Sequence, residues 1–252
     1  MKRNIKLTLA FVGTAYCGWQ SQLNGKSVQS VLADAVFSLT GEKPTLQGCG
    51  RTDAKVHANN YICNFRTDSK LATRDMLRAL NAILPSDICV KDACEVPLSF
   101  HSRFDAVEKQ YVYLICNSPV RNPFLEGRAL MYPYPIDEKV LNSACRHFLG
   151  THDFSAFCAS KSSVKDKTRT ISYADVSRDG DIVTFTVRGN GFLYNMVRIM
   201  VGTLLYIAMG KIAPQSLPDI IASGERHNAG ATAKAYGLYL DRVRYDIKDE
   251  DK

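Results

Sequence analysis

The chain has 252 residues, of which 46% are hydrophobic and 23% charged, a balance typical of globular proteins that excludes a disordered one. This length suits one large domain or two small ones. Lys and Arg outnumber Asp and Glu by 32 to 25, which gives a net charge of +7. The excess indicates an anionic partner, although charge alone does not distinguish nucleic acid, a membrane surface and phosphorylated metabolites.

The basic charge is concentrated in the body of the chain. The last seven residues contain four acids and two lysines, so residues 1–245 carry +9. The charged tail 247–252 is therefore expected to be a solvated end rather than part of a domain.

Eight cysteines are present, none in a CxxC pair, and several lie within apolar runs. This pattern predicts buried free thiols in a reducing compartment. The five histidines lack zinc-ligand spacing, and the sequence contains no phosphate-binding glycine loop. Neither a metal nor a cofactor is therefore expected.

The most apolar stretch, Phe192–Met209, is interrupted by Asn195 and Arg198 and is too short to cross a bilayer. No signal peptide is visible at the start of the sequence, where an alternating segment follows Met1. We expect a cytoplasmic protein without a membrane partner.

Hydrophobic periodicity and capping residues predict an α+β protein. Ser27 is suited to cap a first helix that Gly41 ends, and Pro85 ends a second. The elements predicted in the first part of the chain are strands at 5–11, 60–66, 88–90 and 98–106 and helices at 28–40 and 73–84.

A similar order of elements follows, with Gly150 as a helix C-cap and Asp179-Gly180 as a hairpin turn. We therefore predict two α+β halves, 1–105 and 106–246, each a mostly antiparallel mixed sheet with helices packed on it. The elements predicted in the second half are strands at 110–117, 170–178, 181–188 and 237–245 and helices at 137–149 and 192–209.

The densest group of chemically active residues lies in Gly48–Ala58, where Arg51 and Asp53 stand two apart with a hydroxyl between them. Turn formation explains Gly, Thr and Asp in succession, and a structural ion pair explains the Arg and the Asp. The functional alternative is that Asp53 is a catalytic carboxylate.

A second group lies in Gly189–Gly202, where Arg198 is surrounded by apolar residues. A buried arginine is unfavourable unless it meets an acid. Arg198 is therefore either a surface residue with a buried stem or the partner of an interior acid, for which Asp53 is the candidate.

Two tyrosines share a face of the predicted strand at 110–117, because Tyr111 and Tyr113 are two residues apart. Core packing is the usual role of such a pair. A flat aromatic ring on a sheet is also how proteins stack a nucleobase.

The loop 161–169 contains Lys161, Lys165, Lys167 and Arg169 and a single acid. It is either a solvated loop or a segment that contacts phosphates without recognising bases.

These motifs together resemble the TruA family of tRNA pseudouridine synthases, and the resemblance extends from about residue 5 to 245. Gly50–Ala54 with Val56-His57 is similar to the family's signature loop. The other matching segments are Ala15–Gln20, Ser27–Gln29, Phe100–Phe104, Lys109–Tyr113, His152–Phe154, Arg169–Ile171, Gly191–Gly202 and Gly237–Leu240.

The resemblance implies isomerisation of uridine to pseudouridine in the tRNA anticodon stem-loop, at positions 38, 39 and 40. It implies that Asp53 is the nucleophile, that Tyr111 packs on the target base and that Arg198 pairs with the aspartate. Arg51 matches an arginine implicated in displacing the base, and Leu238 matches an apolar wall of the pocket. The family also implies the pseudouridine synthase fold, a central RNA-binding cleft and a homodimer, without metal or cofactor.

Two positions depart from the family pattern. Lys55 stands where the family usually has glycine, and a positive φ there costs a lysine about 1 kcal/mol. Val12 replaces an acid that often precedes Gly13, which affects the hydrogen bonding of that turn.

Two other functions compete with the synthase assignment. A non-catalytic RNA-binding or tRNA-folding module on the same scaffold predicts binding without a product. An aspartate-nucleophile hydrolase or phosphatase predicts paired aspartates and metal ligands, and the sequence does not supply them.

Overall fold

The computed structural model describes residues 2–23, 25–160 and 164–246, so the predicted tail 247–252 lies outside it. In chain order the elements are β1 (Arg3–Phe11), α1 (Val28–Thr40), β2 (Gln47–Gly48), β3 (His57–Thr67), α2 (Thr73–Ile83), β4 (Ile88–Val96), β5 (Ala106–Cys116), β6 (Leu130–Met131), α3 (Glu138–Cys145), β7 (Gly150–Asp153), β8 (Thr168–Asp179), β9 (Ile182–Gly189), α4 (Met196–Ala208), α5 (Leu217–Ser223) and β10 (Leu238–Tyr245). Strands and helices are both abundant and the pairing is mostly antiparallel, which confirms the predicted α+β class.

The chain divides into two compact units. The first contains the chain up to Val107 and again from Leu240, and the second contains Glu108–Tyr239. The division predicted from sequence kept all of 106–246 together, whereas the contacts place most of β10 with the first unit.

The first unit contains a sheet in the order β4-β1-β3-β10, with β2 added to β3. β1 runs antiparallel to both β3 and β4, and its alternate residues Ile5, Leu7 and Leu9 are fully buried. The Ser27 hydroxyl caps α1 by accepting from the Ser30 N–H, and Gly41 ends the helix with a φ of 73°, as predicted. α2 packs against β4.

The second unit contains a sheet in the order β5-β9-β8-β7, in which each neighbouring pair is antiparallel and β6 adds parallel to β5. A two-residue turn joins β8 to β9, one residue later than predicted. α3 packs against β8 and α4. Of the thirteen residues of α4, ten are buried, so this helix forms the core of the unit.

The strand predicted at 98–106 is wrong. β4 ends at Val96, and the following segment folds into turns in which Phe100 N donates to Pro97 O at 3.0 Å and Phe104 N to His101 O at 3.1 Å. Pro97 has no N–H to donate, so the sheet pairing stops there.

Two predicted helices are shorter in the structure. α4 begins at Met196 rather than near residue 192, because Asn195 has a left-handed backbone with a φ of 61°. α3 ends at Cys145, and one tight turn, Arg146–Phe148, follows it.

Within the described ranges, no helix is long and apolar enough to cross a membrane, and no three metal-ligating side chains cluster together. All eight cysteines are free, and burial raises the pKa of Cys63, Cys116 and Cys145.

Candidate active site

Asp53 lies in the loop between β2 and β3, which we call the aspartate loop (residues 49–56), and its side chain is half-buried. The connection from β1 to α1 holds this loop by main-chain hydrogen bonds. Trp19 N donates to Thr52 O at 3.3 Å, and Lys55 N donates to Tyr16 O at 3.2 Å. Because these bonds flank Asp53, they fix the backbone that carries its carboxylate.

Two glycines allow this close approach. Gly18 has a φ of 102°, and a Cβ there would stand 2.3 Å from Thr52 O. A Cβ on Gly13 would stand 1.9 Å from Val56 O. Both contacts are with main-chain atoms, so only glycine fits without moving the aspartate loop.

His57 holds the end of the aspartate loop. Its imidazole is fully buried, and its Nδ1 accepts a hydrogen bond from the Gly13 N–H at 3.0 Å. An accepting Nδ1 carries no proton, so this histidine is neutral in the structure and serves to position the loop.

Val12 stands where the family often has an acid before Gly13, and in this chain Asp87 makes the hydrogen bonds of that turn. The Tyr16 hydroxyl donates to Asp87 Oδ1 at 2.6 Å, and Val12 N donates to Asp87 O at 2.9 Å. Burial and the adjacent Asp87 carboxylate raise the pKa of Tyr16, so it stays a neutral donor.

Lys55 has a φ of 68°, so the position at which the family usually has glycine is left-handed in this chain. We expect Lys55→Gly to raise the free energy of unfolding by about 0.5–1 kcal/mol. Glycine relieves a Cβ penalty of about 1–2 kcal/mol, and the unfolded-state entropy of glycine offsets about 0.4–1 kcal/mol of it. Urea unfolding measures the change.

The matched control is Ala54→Gly. Ala54 is also exposed and has no positive φ, so the substitution should lower the free energy of unfolding by about 0.4–1 kcal/mol through unfolded-state entropy. A loss of stability in Lys55→Gly similar to that in the control would contradict the prediction.

In the second unit, Tyr111 lies on β5 opposite Val187 of β9. Its ring contacts the edge of Phe192 at a centroid distance of 5.0 Å and an angle of 80°. The ring is half-buried, so part of it stays available to a ligand.

Tyr113 is the core member of the predicted tyrosine pair. It is fully buried, its hydroxyl donates to Lys234 O at 2.7 Å, and burial raises its pKa. A Cβ on Gly237 would stand 2.6 Å from the Tyr113 ring, so the chain passes directly over this tyrosine. Leu238 follows as the first residue of β10 and is buried.

Arg198 is half-buried on α4, and two neutral oxygens hold its guanidinium. Its Nε donates to Ala233 O and its Nη1 to Asn195 Oδ1, both at 2.8 Å. Both oxygens are neutral, and the two hydrogen bonds fix the direction of the planar guanidinium.

Asn195 is a functional candidate that the sequence analysis did not single out. It is one of only two non-glycine residues with a positive φ among those the structure describes, and its amide oxygen orients Arg198. Two features of the sequence could have pointed to Asn195. Asparagine tolerates the left-handed region, and this one lies three residues before an interior arginine.

The structure places the predicted residues in two groups. Arg51, which is exposed, and Asp53 lie in the aspartate loop of the first unit. Tyr111, Arg198 and Leu238 lie in the second unit. The pairing of Asp53 with Arg198 therefore stays a prediction.

The basic loop is only partly described, because residues 161–163 lie outside the described ranges, and Lys161 with them. Arg169 Nη1 donates to Asp166 O at 3.1 Å and to Thr168 O at 2.6 Å. Phosphate contacts by this loop stay a prediction.

Comparison with known proteins identifies the family. The family model described as tRNA pseudouridine synthase matches residues 8–105 and 144–246. Proteins named tRNA pseudouridine synthase A are 46% identical in Acetivibrio thermocellus and 44% identical in Caldicellulosiruptor bescii, each over 96% of this chain and 100% of the relative. The chain belongs to the TruA family of tRNA pseudouridine synthases.

The relative from Citrifermentans bemidjiense extends the match to 98% of this chain and 99% of its own length, at 43% identity. The resemblance predicted from the motifs is thus confirmed over nearly the full length. Asp53, Arg198 and Leu238 fall within the segments that match the family model described as tRNA pseudouridine synthase, whereas Tyr111 falls between these segments.

Proposed function

We propose that this protein is a tRNA pseudouridine synthase that isomerises uridine to pseudouridine at positions 38, 39 and 40 of the anticodon stem-loop, with Asp53 as the nucleophile. The observation that carries the proposal is the near-full-length match to curated tRNA pseudouridine synthases A. The main-chain hydrogen bonds that fix the aspartate loop support it, because a nucleophile must be held in position before the substrate binds.

The chemistry is an isomerisation that needs no oxidant or reductant. The target uridine must first leave the base stack, at a cost of a few kcal/mol. The Asp53 carboxylate then attacks the base or the sugar carbon, and the N1–C1′ bond breaks. The base turns, C5 bonds to C1′, and the bond between the Asp53 carboxylate and the substrate breaks. The C5 proton leaves and N1 gains a proton, so Asp53 is restored and the product has the composition of the substrate.

The remaining roles follow from the chemistry of each side chain. Arg198 is proposed to keep Asp53 ionised, because an opposite charge lowers the pKa of a carboxyl group. Tyr111 is proposed to pack on the target base and to receive the C5 proton. Leu238 is proposed as the apolar wall of the pocket and Arg51 as the group that displaces the base from its stack.

The proposal includes a cytoplasmic homodimer that binds the anticodon arm of tRNA. The charge of +9 on residues 1–245 supports an RNA partner, because neutralising phosphates supplies much of the affinity for nucleic acid. Sedimentation at several concentrations tests the dimer separately from activity.

Incubation with unmodified tRNA transcripts, followed by mapping of pseudouridine, tests the function. We expect product at positions 38–40 only, and no product in transcripts that carry cytidine there. Tight binding of the uridine-containing transcripts without any product would replace the synthase with a non-catalytic RNA-binding module. Product confined to other positions would overturn the anticodon assignment.

A further inference from the structure

The first unit contains a cavity of about 240 Å³ beside the aspartate loop. Of the residues that line it, only Arg51 has a role in the proposed reaction. Its walls come from five segments: the β1–α1 connection, the start of α1, β2, the aspartate loop and the turns after β4. The lining residues are Trp19, Gln20, Gln29, Gln47, Gly48, Gly50, Arg51, His101 and Arg103. All of these residues belong to the same unit, so the cavity is a property of that unit.

The cavity is lined by cations and hydrogen-bond donors. Arg51 and Arg103 are exposed, and no acidic side chain is among the described residues that line it. Within the described part of the chain, neither arginine forms an ion pair. Two guanidinium groups without an ion pair at one cavity favour an anionic ligand. Arginine binds phosphate, the anionic group of RNA, through two parallel hydrogen bonds.

Two other lining residues, Trp19 and Gln47, add further donors. Trp19 is 3% exposed, and no residue in the described ranges accepts a hydrogen bond from its indole N–H. Gln47 accepts from Asn64 Nδ2 at 3.0 Å, which fixes its amide with the NH₂ group still able to donate. A ligand rich in hydrogen-bond acceptors, such as a phosphate, would accept from these guanidinium, indole and amide donors.

An exposed aromatic ring lies next to two of the lining residues, His101 and Arg103. Phe104 is 74% exposed, the His101 ring lies 4.3 Å from it, and the Arg103 guanidinium lies 5.7 Å from its centroid. His101 Nδ1 accepts from Arg103 N at 3.1 Å, which fixes the imidazole. Exposed phenylalanine beside arginine is the combination that binds unstacked bases.

We propose that this cavity is a subsite for a nucleotide of the substrate RNA that flanks the target uridine. Its phosphate binds Arg103 and the donors of Trp19 and Gln47, and its base stacks on Phe104. The inference rests on the proposed function, because it takes the substrate to be RNA. It assigns to the turns after β4 a role in holding the RNA while the aspartate loop acts on the neighbouring residue.

Binding and rate measurements on Arg103→Ala and Phe104→Ala test the subsite. With an unmodified anticodon stem-loop RNA, we expect each variant to weaken Kd about tenfold, within the range known for single phosphate and stacking contacts. Arg103→Ala should also reduce the slope of log affinity against log salt by about 0.7–0.9, whereas Phe104→Ala should leave it unchanged. The single-turnover rate at saturating RNA should fall by less than the affinity does in both variants.

The matched control is Arg78→Ala, which removes an exposed arginine of the same unit from α2, away from the cavity. It should change neither Kd nor the salt slope. Wild-type Kd and salt slope in Arg103→Ala would overturn the subsite even if the wild-type protein makes pseudouridine. If Arg103→Ala weakens RNA binding and the wild-type protein makes no pseudouridine, the RNA subsite is supported and the proposed synthase activity is rejected.

Discussion

Asp53→Asn should abolish pseudouridine formation, with a loss of rate on the order of 10⁴-fold or more, as for other groups that form the covalent intermediate. The amide has the shape of the carboxylate but lacks the charged oxygen that attacks the substrate. The substitution should leave the fold intact, because main-chain hydrogen bonds from Trp19 N and Lys55 N hold the aspartate loop. Product is measured by mapping pseudouridine in single-turnover reactions.

Affinity for tRNA should change by less than about tenfold, or about 1.4 kcal/mol, because phosphate contacts supply most of the binding free energy. Asp53→Ala should behave like Asp53→Asn, and it also excludes activity from deamidated asparagine. Asp92→Asn, an exposed residue of β4, serves as the control and should keep full activity. Pseudouridine made by Asp53→Ala at a wild-type rate would reject the nucleophile.

Arg198→Lys should lower the single-turnover rate on the order of 10²-fold while tRNA affinity stays close to wild type. The reason is geometric. The guanidinium donates at once to Ala233 O and to Asn195 Oδ1, and a lysine ammonium at the end of a flexible stem does not reproduce that fork. A positive charge therefore remains, but its position is lost.

Two further variants separate positioning from general damage. Asn195→Ala removes the Asn195 Oδ1 acceptor and should lower the rate less than Arg198→Lys does, because the bond to Ala233 O remains. Arg226→Lys is the control. Arg226 donates to Ala229 O and Thr232 Oγ1, in the same segment 229–233 that contains Ala233, and it lies outside the proposed site. If the single-turnover rate falls equally in Arg198→Lys and Arg226→Lys, the loss comes from disturbance of segment 229–233 and not from the position of the Arg198 charge.

Most of the secondary structure was predictable because it depends on local signals. Alternation marks β1 and β9, and helical spacing with a serine cap and a terminal glycine marks α1. The left-handed backbone of Lys55 was also predictable, because the motif resembles one with glycine at that position. The family itself was predictable, because its motifs occur in order along the chain.

The turns after β4 were not predictable from local pattern, because distant residues hold them. Buried Asn4 donates to Phe100 O at 3.0 Å, and buried Asn64 accepts from Ser102 N at 2.9 Å. These contacts join β1 and β3 to a segment whose apolar residues alone suggested another strand. Local propensity does not register hydrogen bonds between residues that are 38 or 96 positions apart.

Periodicity and the order of motifs are properties of the chain, so they were enough to predict the α+β class, the family, and Asp53, Tyr111 and Arg198 as candidates. The folded protein was needed to see that Tyr113 belongs to the core, that Asn195 orients Arg198, and that Arg103 lines a cavity with Arg51. Burial and hydrogen-bond geometry depend on which elements pack together, because packing brings side chains that are far apart in the chain into one environment.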